Sequence, residues 1–192
     1  MKSEKELHNY FYHTPFGKQL KVKVVTFEPL SHRHLDSLLR FEQENRAWFE
    51  TLISARDPRF YTRSGVKRHI DSALTNLELK KGYSAVLMDA NQVCARGNLK
   101  NINAKDKVCF VGYRVAQYHT GKGHASYCLA KLINVAKETF KMDELRAKVL
   151  SNNPASASVL NKNGFIELSN EKDIISLNGE LLSGVTFSLK IQ

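Results

Sequence analysis

A glycine-rich stretch, Thr120-Gly121-Lys122-Gly123, stands between two segments of different pattern. The residues before it are β-branched and aromatic, whereas the apolar residues after it recur at the i, i+3, i+4, i+7 spacing of a buried helix face. A glycine turn at a helix start points several backbone N–H groups in one direction, at the positive end of the helix dipole. This stretch therefore predicts a binding site for a phosphate or pyrophosphate group, and the alternative is a plain strand-to-helix turn.

Two common phosphate-binding motifs do not fit this stretch. A Walker loop requires Ser or Thr after Gly-Lys, whereas Gly123 follows Lys122. A dinucleotide-binding fold requires an acidic residue at the end of the next strand, whereas that strand ends in Leu150-Ser151-Asn152. Both motifs are therefore excluded.

A second block, N-N-P-A-S-A-S-V-L-N-K-N-G-F at residues 152–165, has the pattern of a short helix with defined ends. Asn153 followed by Pro154 suits a helix N-cap and the first helical position. Asn163-Gly164 is a helix-stop signal. The block thus predicts a helix of about two turns after the strand that ends at Leu150.

Together, the two blocks resemble the signatures of the GNAT superfamily of N-acetyltransferases. The first signature is Gln or Arg, two residues, Gly, one residue, then Gly or Ala. Gly123 and Ala125 match it, and Thr120 stands at the Gln or Arg position. The second signature is matched by Asn153, Ser156, Lys162, Gly164 and Phe165.

Two further segments are similar to one branch of that superfamily, the ribosomal-protein N-acetyltransferases of RimJ/RimL type. They are G-N-L-K-N-I at residues 97–102, which leads to V-G-Y-R-V, and E-N-R at residues 44–46. The resemblance covers the chain from about residue 20 to its end.

This resemblance implies that acetyl-coenzyme A (acetyl-CoA) lies in a cleft where two parallel strands splay apart. The strand backbone would pair with the pantetheine arm, and the amides of the glycine stretch would hold the pyrophosphate. The cofactor-binding residues that it implies are Tyr113, Arg114, Val115, Thr120, Gly121, Lys122, Gly123, His124, Ala125, Asn153 and Asn161.

The implied chemistry is attack of a neutral amine on the thioester carbonyl, with a backbone N–H holding the oxyanion and a donor protonating the thiolate. Many relatives use a Tyr on the short helix as that donor, and Leu160 occupies its position here. Ser156 is then the nearest hydroxyl candidate, and its alternative role is to position or cap the helix. Glu42 and Glu44 are the candidate general bases, with ordinary helix-surface glutamates or a water chain as the alternatives.

The candidate acceptor-binding residues are Asn45, Trp48, Phe49 and Asn98. For the two aromatic residues, the alternative is a place in the hydrophobic core. His119 and His124 flank the glycine stretch, but neither has a metal-ligand partner at useful sequence spacing. We interpret both histidines as loop or cap residues, and we expect no metal site in the chain.

Composition sets limits on partners and compartment. The 192 residues carry a net charge of +10, with a pI of about 9.5, which favours nucleic acid, ribosomes or a polyanionic cofactor. The basic residues are scattered, so a solvated basic surface is the alternative.

With no membrane-spanning apolar run and a charged N-terminal segment, we expect no membrane association. Cys94, Cys109 and Cys128 are odd in number and lie in predicted strands or the long helix, which predicts buried reduced thiols and a cytoplasmic location. Because they form no CxxC pair, we expect neither a zinc site nor a disulfide framework.

The elements that must position these residues follow from periodicity and turn signals. Strands are predicted at residues 21–30, 83–88, 93–102, 107–115, 144–150 and 165–168, and in a hairpin of residues 173–177 and 181–189. Helices are predicted from Ser31 to about Phe41, at residues 64–80, after Gly123, and at residues 155–162.

The order of these elements predicts an α/β (α+β) fold of GNAT type. We expect a mixed, mostly antiparallel sheet with helices on both faces, in which the long helix connects two parallel strands that splay to form the cofactor cleft. Residues 1–19 are predicted to be an N-terminal extension, and residues 20–192 the N-acetyltransferase domain.

The sequence thus predicts an acetyl-CoA-dependent N-acetyltransferase whose acceptor is the α-amine of a protein N-terminus, with a ribosomal protein as one candidate. The alternatives are a small-amine acetyltransferase (polyamine, amino acid or aminoglycoside) and a non-catalytic module that binds coenzyme A or nucleic acid. A basic protein repels polycations unless it has an acidic pocket, which favours the protein acceptor. We expect a monomer or a homodimer.

Overall fold

The fold is built on a seven-stranded sheet in the part of the chain that the structure describes. The computed structural model describes residues 25–177 and 180–191, and side chains within residues 25–168 and 181–191. The predicted extension at residues 1–19 and the start of the predicted first strand lie outside these ranges. The strands are β1 (Val25–Pro29), β2 (Gly82–Asp89), β3 (Gln92–Asn103), β4 (Val108–Val115), β5 (Glu144–Leu150), β6 (Ile166–Leu177) and β7 (Glu180–Lys190).

Strand order in the sheet is β1-β2-β3-β4-β5-β7-β6, and all neighbours are antiparallel except β4 and β5, which are parallel. A parallel pair needs a crossover connection, and the long helix supplies it. This confirms the predicted mixed sheet with one parallel pair. The helices are α1 (Leu35–Glu44), α2 (Arg46–Glu50), α3 (Arg63–Glu78), α4 (His124–Glu138) and α5 (Pro154–Lys162).

Helices cover both faces of the sheet, as predicted. Leu129 and Leu132 of α4 are fully buried in the core on one face. Leu38 of α1 and Ile70 of α3 are fully buried in a second core on the other face. Burying each such side chain contributes about 1.5–3 kcal/mol, so the two apolar helix faces hold the layers together.

Gly97 of β3 lies directly against α4. A Cβ added at Gly97 would stand 2.5 Å from Leu132 Cδ1 and 2.7 Å from Cys128 Sγ, so a larger residue there would force these two buried side chains to shift. The three cysteines are buried thiols without disulfides, which confirms the prediction made for them. Within the described ranges, no helix combines the length and the apolar character needed to cross a bilayer.

Strands β4 and β5 pair over only a short distance. Their ladder runs from Val108 opposite Glu144 to Phe110 opposite Arg146 and then stops. β4 continues along β3 to Val115, whereas β5 continues along β7 to Leu150. Because each strand follows its outer neighbour, the two strands diverge and open a cleft between them.

The closing part of the sheet differs from the prediction. Residues 165–168 and 173–177 were expected to be separate strands, but they form one strand, β6, which pairs with β7 on both sides of a register shift. Leu168 lies opposite Thr186 and Lys172 opposite Val185, so residues 169–171 form a bulge. Their polar sequence, Ser-Asn-Glu, breaks the alternation and looks like a loop, whereas a bulge keeps the strand continuous.

Glu144 holds the paired end of the parallel strands. Its carboxylate is almost fully buried and accepts hydrogen bonds from Arg146 Nε (2.7 Å), Ser188 Oγ (2.8 Å) and Lys190 Nζ. Burial would raise the pKa of Glu144, but the hydrogen bonds from Lys190, Arg146 and Ser188 together outweigh it and lower the pKa to about 2.

We expect Glu144→Gln to lower the free energy of unfolding by about 2 kcal/mol near neutral pH. Because the folded pKa lies below the ordinary value of 4.5, this stabilisation is complete above 4.5 and is lost as the pH falls towards about 2. Urea denaturation of wild type and variant at neutral and acidic pH measures the difference. Glu138→Gln, an exposed glutamate of α4, is the control, and a wild-type advantage that did not shrink in acid would contradict the prediction.

Candidate active site

The diverging ends of β4 and β5 enclose a cleft of about 620 Å³. Its walls are residues 96–98 of β3, residues 110–114 of β4 and residues 147–150 of β5. Asn153, the N-cap of α5, and Ser156 of α5 line the same space. Beyond Phe110, the edge of β4 that faces β5 has no ladder partner, so its backbone N–H and C=O groups can pair with an extended ligand.

The predicted glycine turn forms the start of α4. Gly121 (φ 73°) and Gly123 (φ 80°) are both in the left-handed region, which glycine adopts without steric cost. Gly123 is the N-cap of α4, and the first turn of the helix contains no acidic residue. A Cβ added at either glycine would meet no atom within 4 Å, so the first amides of α4 face open space. A diphosphate fits this arrangement of unpaired N–H groups and positive helix dipole.

The polar residues around the turn have mixed roles. Thr120 Oγ1 donates to the carbonyl of Gln117 (2.8 Å), so the hydroxyl closes the preceding turn. Lys122 Nζ lies 4.4 Å from the centroid of the Tyr118 ring, and both side chains are exposed. Asn161 is exposed on α5, and Ala125 is half-buried within α4.

Two hydroxyl groups meet at the side of the cleft formed by β4 and α5. Tyr113 Oη donates to the carbonyl of Ser156 (3.1 Å) and lies 3.1 Å from Ser156 Oγ. Burial raises the pKa of Tyr113 to about 12, although the hydrogen bond to Ser156 acts in the opposite direction. The phenol therefore stays protonated at neutral pH and can donate.

Sequence reasoning assigned only the backbone of Tyr113 to the site and did not identify its side chain. The alternation of residues along β4 could have shown which way this side chain points, because Val111, Tyr113 and Val115 all pack on the core beneath α4. Leu160, at the position where relatives carry a Tyr, is fully buried. A phenol from β4 thus lies beside Ser156 where the α5 phenol is missing.

Asn153 and Ser156 also form the start of α5. Asn153 Oδ1 accepts a hydrogen bond from the backbone N–H of Ser156 (3.0 Å), and Pro154 is the first helical residue. This confirms the predicted N-cap. The cap fixes the orientation of the first turn and so places Ser156 Oγ at the cleft.

The two candidate general bases do not lie in the cleft. Glu42 is completely buried, and its Oε1 accepts from Arg96 Nη1 (2.5 Å) while its Oε2 lies 3.6 Å from Arg114 Nη1. Glu44 is exposed and borders a different cavity, of about 600 Å³, between α1 and the turn after β4. The α-helical spacing explains both positions, because Glu42 falls on the buried face of α1 and Glu44 does not.

Arg96 and Arg114 make one wall of the cleft positive. Arg96 Nη2 lies 2.6 Å from His69 Nε2, and burial, with Arg96 and Arg56 adding to it, lowers the pKa of His69 to about 3. His69 is therefore neutral and accepts. Burial and then the charge of Arg96 lower the pKa of Arg114, against the charge of Glu42. The cluster holds one carboxylate for several guanidinium groups, so its net charge is positive.

Sequence reasoning missed Arg96, since an arginine within the strand 93–102 gives no sign of which face it occupies. Lys100 and Lys148 also line the cleft. Among the described residues that line it, none is Asp or Glu. The acidic cleft mouth that would favour a polycationic acceptor is thus not found in this part of the chain.

Of the four candidate acceptor-binding residues, only Asn98 lines the cleft. Asn45 Oδ1 accepts from the backbone N–H of Gln117 (2.8 Å), and Trp48 Nε1 donates to the carbonyl of Val115 (3.3 Å). Phe49 is buried. These three residues brace the end of β4 from behind, in agreement with the core alternative for the aromatics, and residues 52–54 form the wall instead.

A parallel strand pair that splays beside an amide-lined helix start suits the extended pantetheine arm and the diphosphate of a coenzyme A thioester. The family model described as acetyltransferase (GNAT) domain matches residues 25–166, and the chain belongs to this family. It is an acetyltransferase of GNAT type, and solved acetyltransferases of similar fold bind CoA or acetyl-CoA.

Relatives and solved structures agree with this assignment. The chain is 26% identical over 163 residues to the probable N-acetyltransferase YjcK of Bacillus subtilis (strain 168). The match covers 83% of this chain and 90% of YjcK. The ribosomal-protein-S5-alanine acetyltransferase of Vibrio fischeri has the same fold, with a TM-score of 0.82 at 18% identity, over 86% of this chain and 92% of that one. The spermidine N-acetyltransferase of Vibrio cholerae, solved with CoA and spermine, gives a TM-score of 0.70 at 16% identity, over 86% and 95%.

We expect Gly123→Val to weaken coenzyme A binding by at least about tenfold, because the side chain would enter the open space in front of the amides and the φ of 80° would be strained. Isothermal titration calorimetry with coenzyme A measures the change. Gly164→Val is the matched control, since Gly164 has a similar φ of 84° outside the turn. It should lower stability and leave the affinity unchanged. Equal affinity of Gly123→Val and wild type would contradict the amide cradle.

Proposed function

We propose that this enzyme acetylates the α-amine of a protein N-terminus, by direct attack of the neutral amine on the thioester of acetyl-CoA. The observation that carries the proposal is the charge of the cleft. Arg96, Arg114, Lys100 and Lys148 line it, and no carboxylate stands among its described lining residues.

A cleft without a carboxylate base suits an amine that is already partly neutral. The α-amine of a chain terminus has a pKa of about 7.7–8.0, so roughly a quarter to two-fifths of it is neutral near pH 7.5. An alkylamine with a pKa of about 10.4 is neutral to only roughly 0.1%. The positive wall lowers the pKa of a bound amine further, because it disfavours the ammonium form.

The same wall disfavours small polycationic acceptors. Several charges of one sign around the cleft repel a polyamine at the site and during approach. The fold itself is compatible with such acceptors, as the spermidine enzyme of similar fold illustrates. The charge of the lining residues is therefore what separates the two kinds of acceptor in this proposal.

Acetyl-CoA supplies an activated acyl group on a thiolate leaving group. The backbone N–H groups of β4 beyond Phe110 are placed to hold the oxyanion that forms when the amine nitrogen attacks. As the C–S bond breaks, Ser156 Oγ would donate its proton to the sulfur and take one from Tyr113 Oη, 3.1 Å away. The nitrogen of the tetrahedral intermediate loses its extra proton to water, and the Tyr113 phenolate regains a proton from water, so that the donor pair is restored. Association with ribosomes or nucleic acid, suggested by the basic composition, stays a prediction.

We expect Ser156→Ala and Tyr113→Phe each to lower kcat by about 10–100-fold with a much smaller change in the KM for acetyl-CoA, because they remove proton donation and leave the amide cradle intact. Release of coenzyme A thiol measures turnover. Ser158→Ala, an exposed serine of the same helix, is the control. Unchanged turnover in both variants would restrict Ser156 to its place in the helix cap.

We expect N-terminal peptides with Asp or Glu after the first residue to have a kcat/KM at least about tenfold above matched peptides with Lys there, and spermidine to be a poorer acceptor still. The advantage should shrink at high salt, because it comes from long-range charge. Lys100→Gln, which removes an exposed cation of the cleft, should reduce it. A panel of such acceptors with thiol release as the readout checks this, and preference for spermidine would contradict the proposed function.

A further inference from the structure

Three side chains of types that can bind a metal ion lie close together beside the glycine turn. Cys94 of β3, His119 of the turn after β4 and His124 of α4 place one ligand atom each within 4.8 Å of the other two. Cys94 is buried and both histidines are half-buried, with their ring centroids 5.6 Å apart. No sequence motif predicts this cluster, because Cys94 is far from both histidines along the chain.

The fold brings these residues together through backbone contacts. The N–H of Ala116 donates to the carbonyl of Cys94 (2.9 Å), so the turn after β4 begins beside β3. The N–H of His119 donates to the carbonyl of Ala116 (2.8 Å), which folds the turn back towards Cys94. Gly123 then starts α4, and His124 is its first residue.

We propose that Cys94, His119 and His124 bind a divalent transition-metal ion of the Zn²⁺ type, which joins the two ends of the glycine turn. This ion takes no part in acetyl transfer. One thiolate and two imidazoles are a donor set that Zn²⁺ prefers, and three protein ligands leave the fourth tetrahedral position to water.

The distances suit such an ion after small side-chain rotations. With bonds of about 2.0 Å to nitrogen and 2.3 Å to sulfur, tetrahedral ligand atoms lie roughly 3.3–3.6 Å apart. The three ligand atoms lie within 4.8 Å of one another in the structure, so small side-chain rotations bring them to those distances. Cys94 Sγ now lies 3.5 Å from the carbonyl of Leu87, a weak thiol contact that a metal bond would replace.

A negative charge lies beside the cluster. Asp89 interacts electrostatically with both Cys94 and His124, which favours a bound cation at this point.

Binding at this site would affect the phosphate cradle. His119 and His124 directly flank residues 120–123, so an ion between them fixes both ends of the segment that presents the amides. Less conformational freedom is then lost when the diphosphate binds, and coenzyme A affinity rises. This expected effect on coenzyme A affinity rests on the proposal that those amides bind the cofactor.

Cobalt(II) titration tests the site directly. The full chain, without a histidine tag and freed of metal by a chelator, is titrated with Co²⁺ and followed by absorption. We expect a thiolate-to-cobalt charge-transfer band and the visible bands of a tetrahedral ion, both saturating at one equivalent. Cys94→Ala should abolish the charge-transfer band, and His119→Gln should weaken binding by more than about 100-fold, since even partners outside the ligand set change affinity 10–100-fold.

Cys109→Ala is the matched control, because Cys109 is an equally buried thiol of β4 outside the cluster, and it should leave the spectrum unchanged. Circular dichroism checks that each variant is folded. Absence of the charge-transfer band in wild type, or its survival in Cys94→Ala, would overturn the metal site.

Coenzyme A calorimetry with and without one equivalent of Zn²⁺ tests the coupling. We expect the ion to raise affinity several-fold in wild type and not in Cys94→Ala. An intact cobalt spectrum with unchanged coenzyme A affinity would overturn the coupling alone. Failure of coenzyme A to bind under any condition would instead refute the amide cradle and leave the cobalt result standing.

Discussion

The site depends on the early end of one strand ladder. β4 and β5 pair only as far as Phe110 and Arg146, and each then follows its outer neighbour. If the two central strands stayed paired, the sheet would have no cleft, and the backbone N–H and C=O groups of β4 would all be hydrogen-bonded to β3 and β5. The Glu144 network holds the closed end of this pair, so the divergence starts from a fixed point.

The divergence also decides which side chains meet. Ser156 follows β5 by way of a short loop and a capped helix, and Tyr113 belongs to β4. Their hydroxyls lie 3.1 Å apart, and both residues line the cleft. This hydroxyl pair thus joins the two strands at the place where the backbone ladder no longer does so.

Electrostatics shape the opposite wall. Glu42 is the counter-ion that makes burial of Arg96 and Arg114 tolerable, and a buried charge that loses its partner costs several kcal/mol. A carboxylate held in this way is buried and does not line the cleft. Since His69 is neutral, the cluster keeps a positive charge, and the proposed preference for an uncharged amine depends on that charge.

Local signals in the sequence determined the glycine turn, the start of α4, the Asn153 cap and most of the strands, because each depends on residues close together in the chain. The family resemblance followed from two such signals in order. Tertiary structure alone decided that Glu42 is buried against Arg96, that Tyr113 meets Ser156, that Trp48 and Phe49 lie behind β4, and that Cys94 joins two histidines. These outcomes depend on strand register, on helix rotation and on where a ladder ends, and such long-range geometry is set by packing across the sheet, which neighbouring residues in the sequence do not encode.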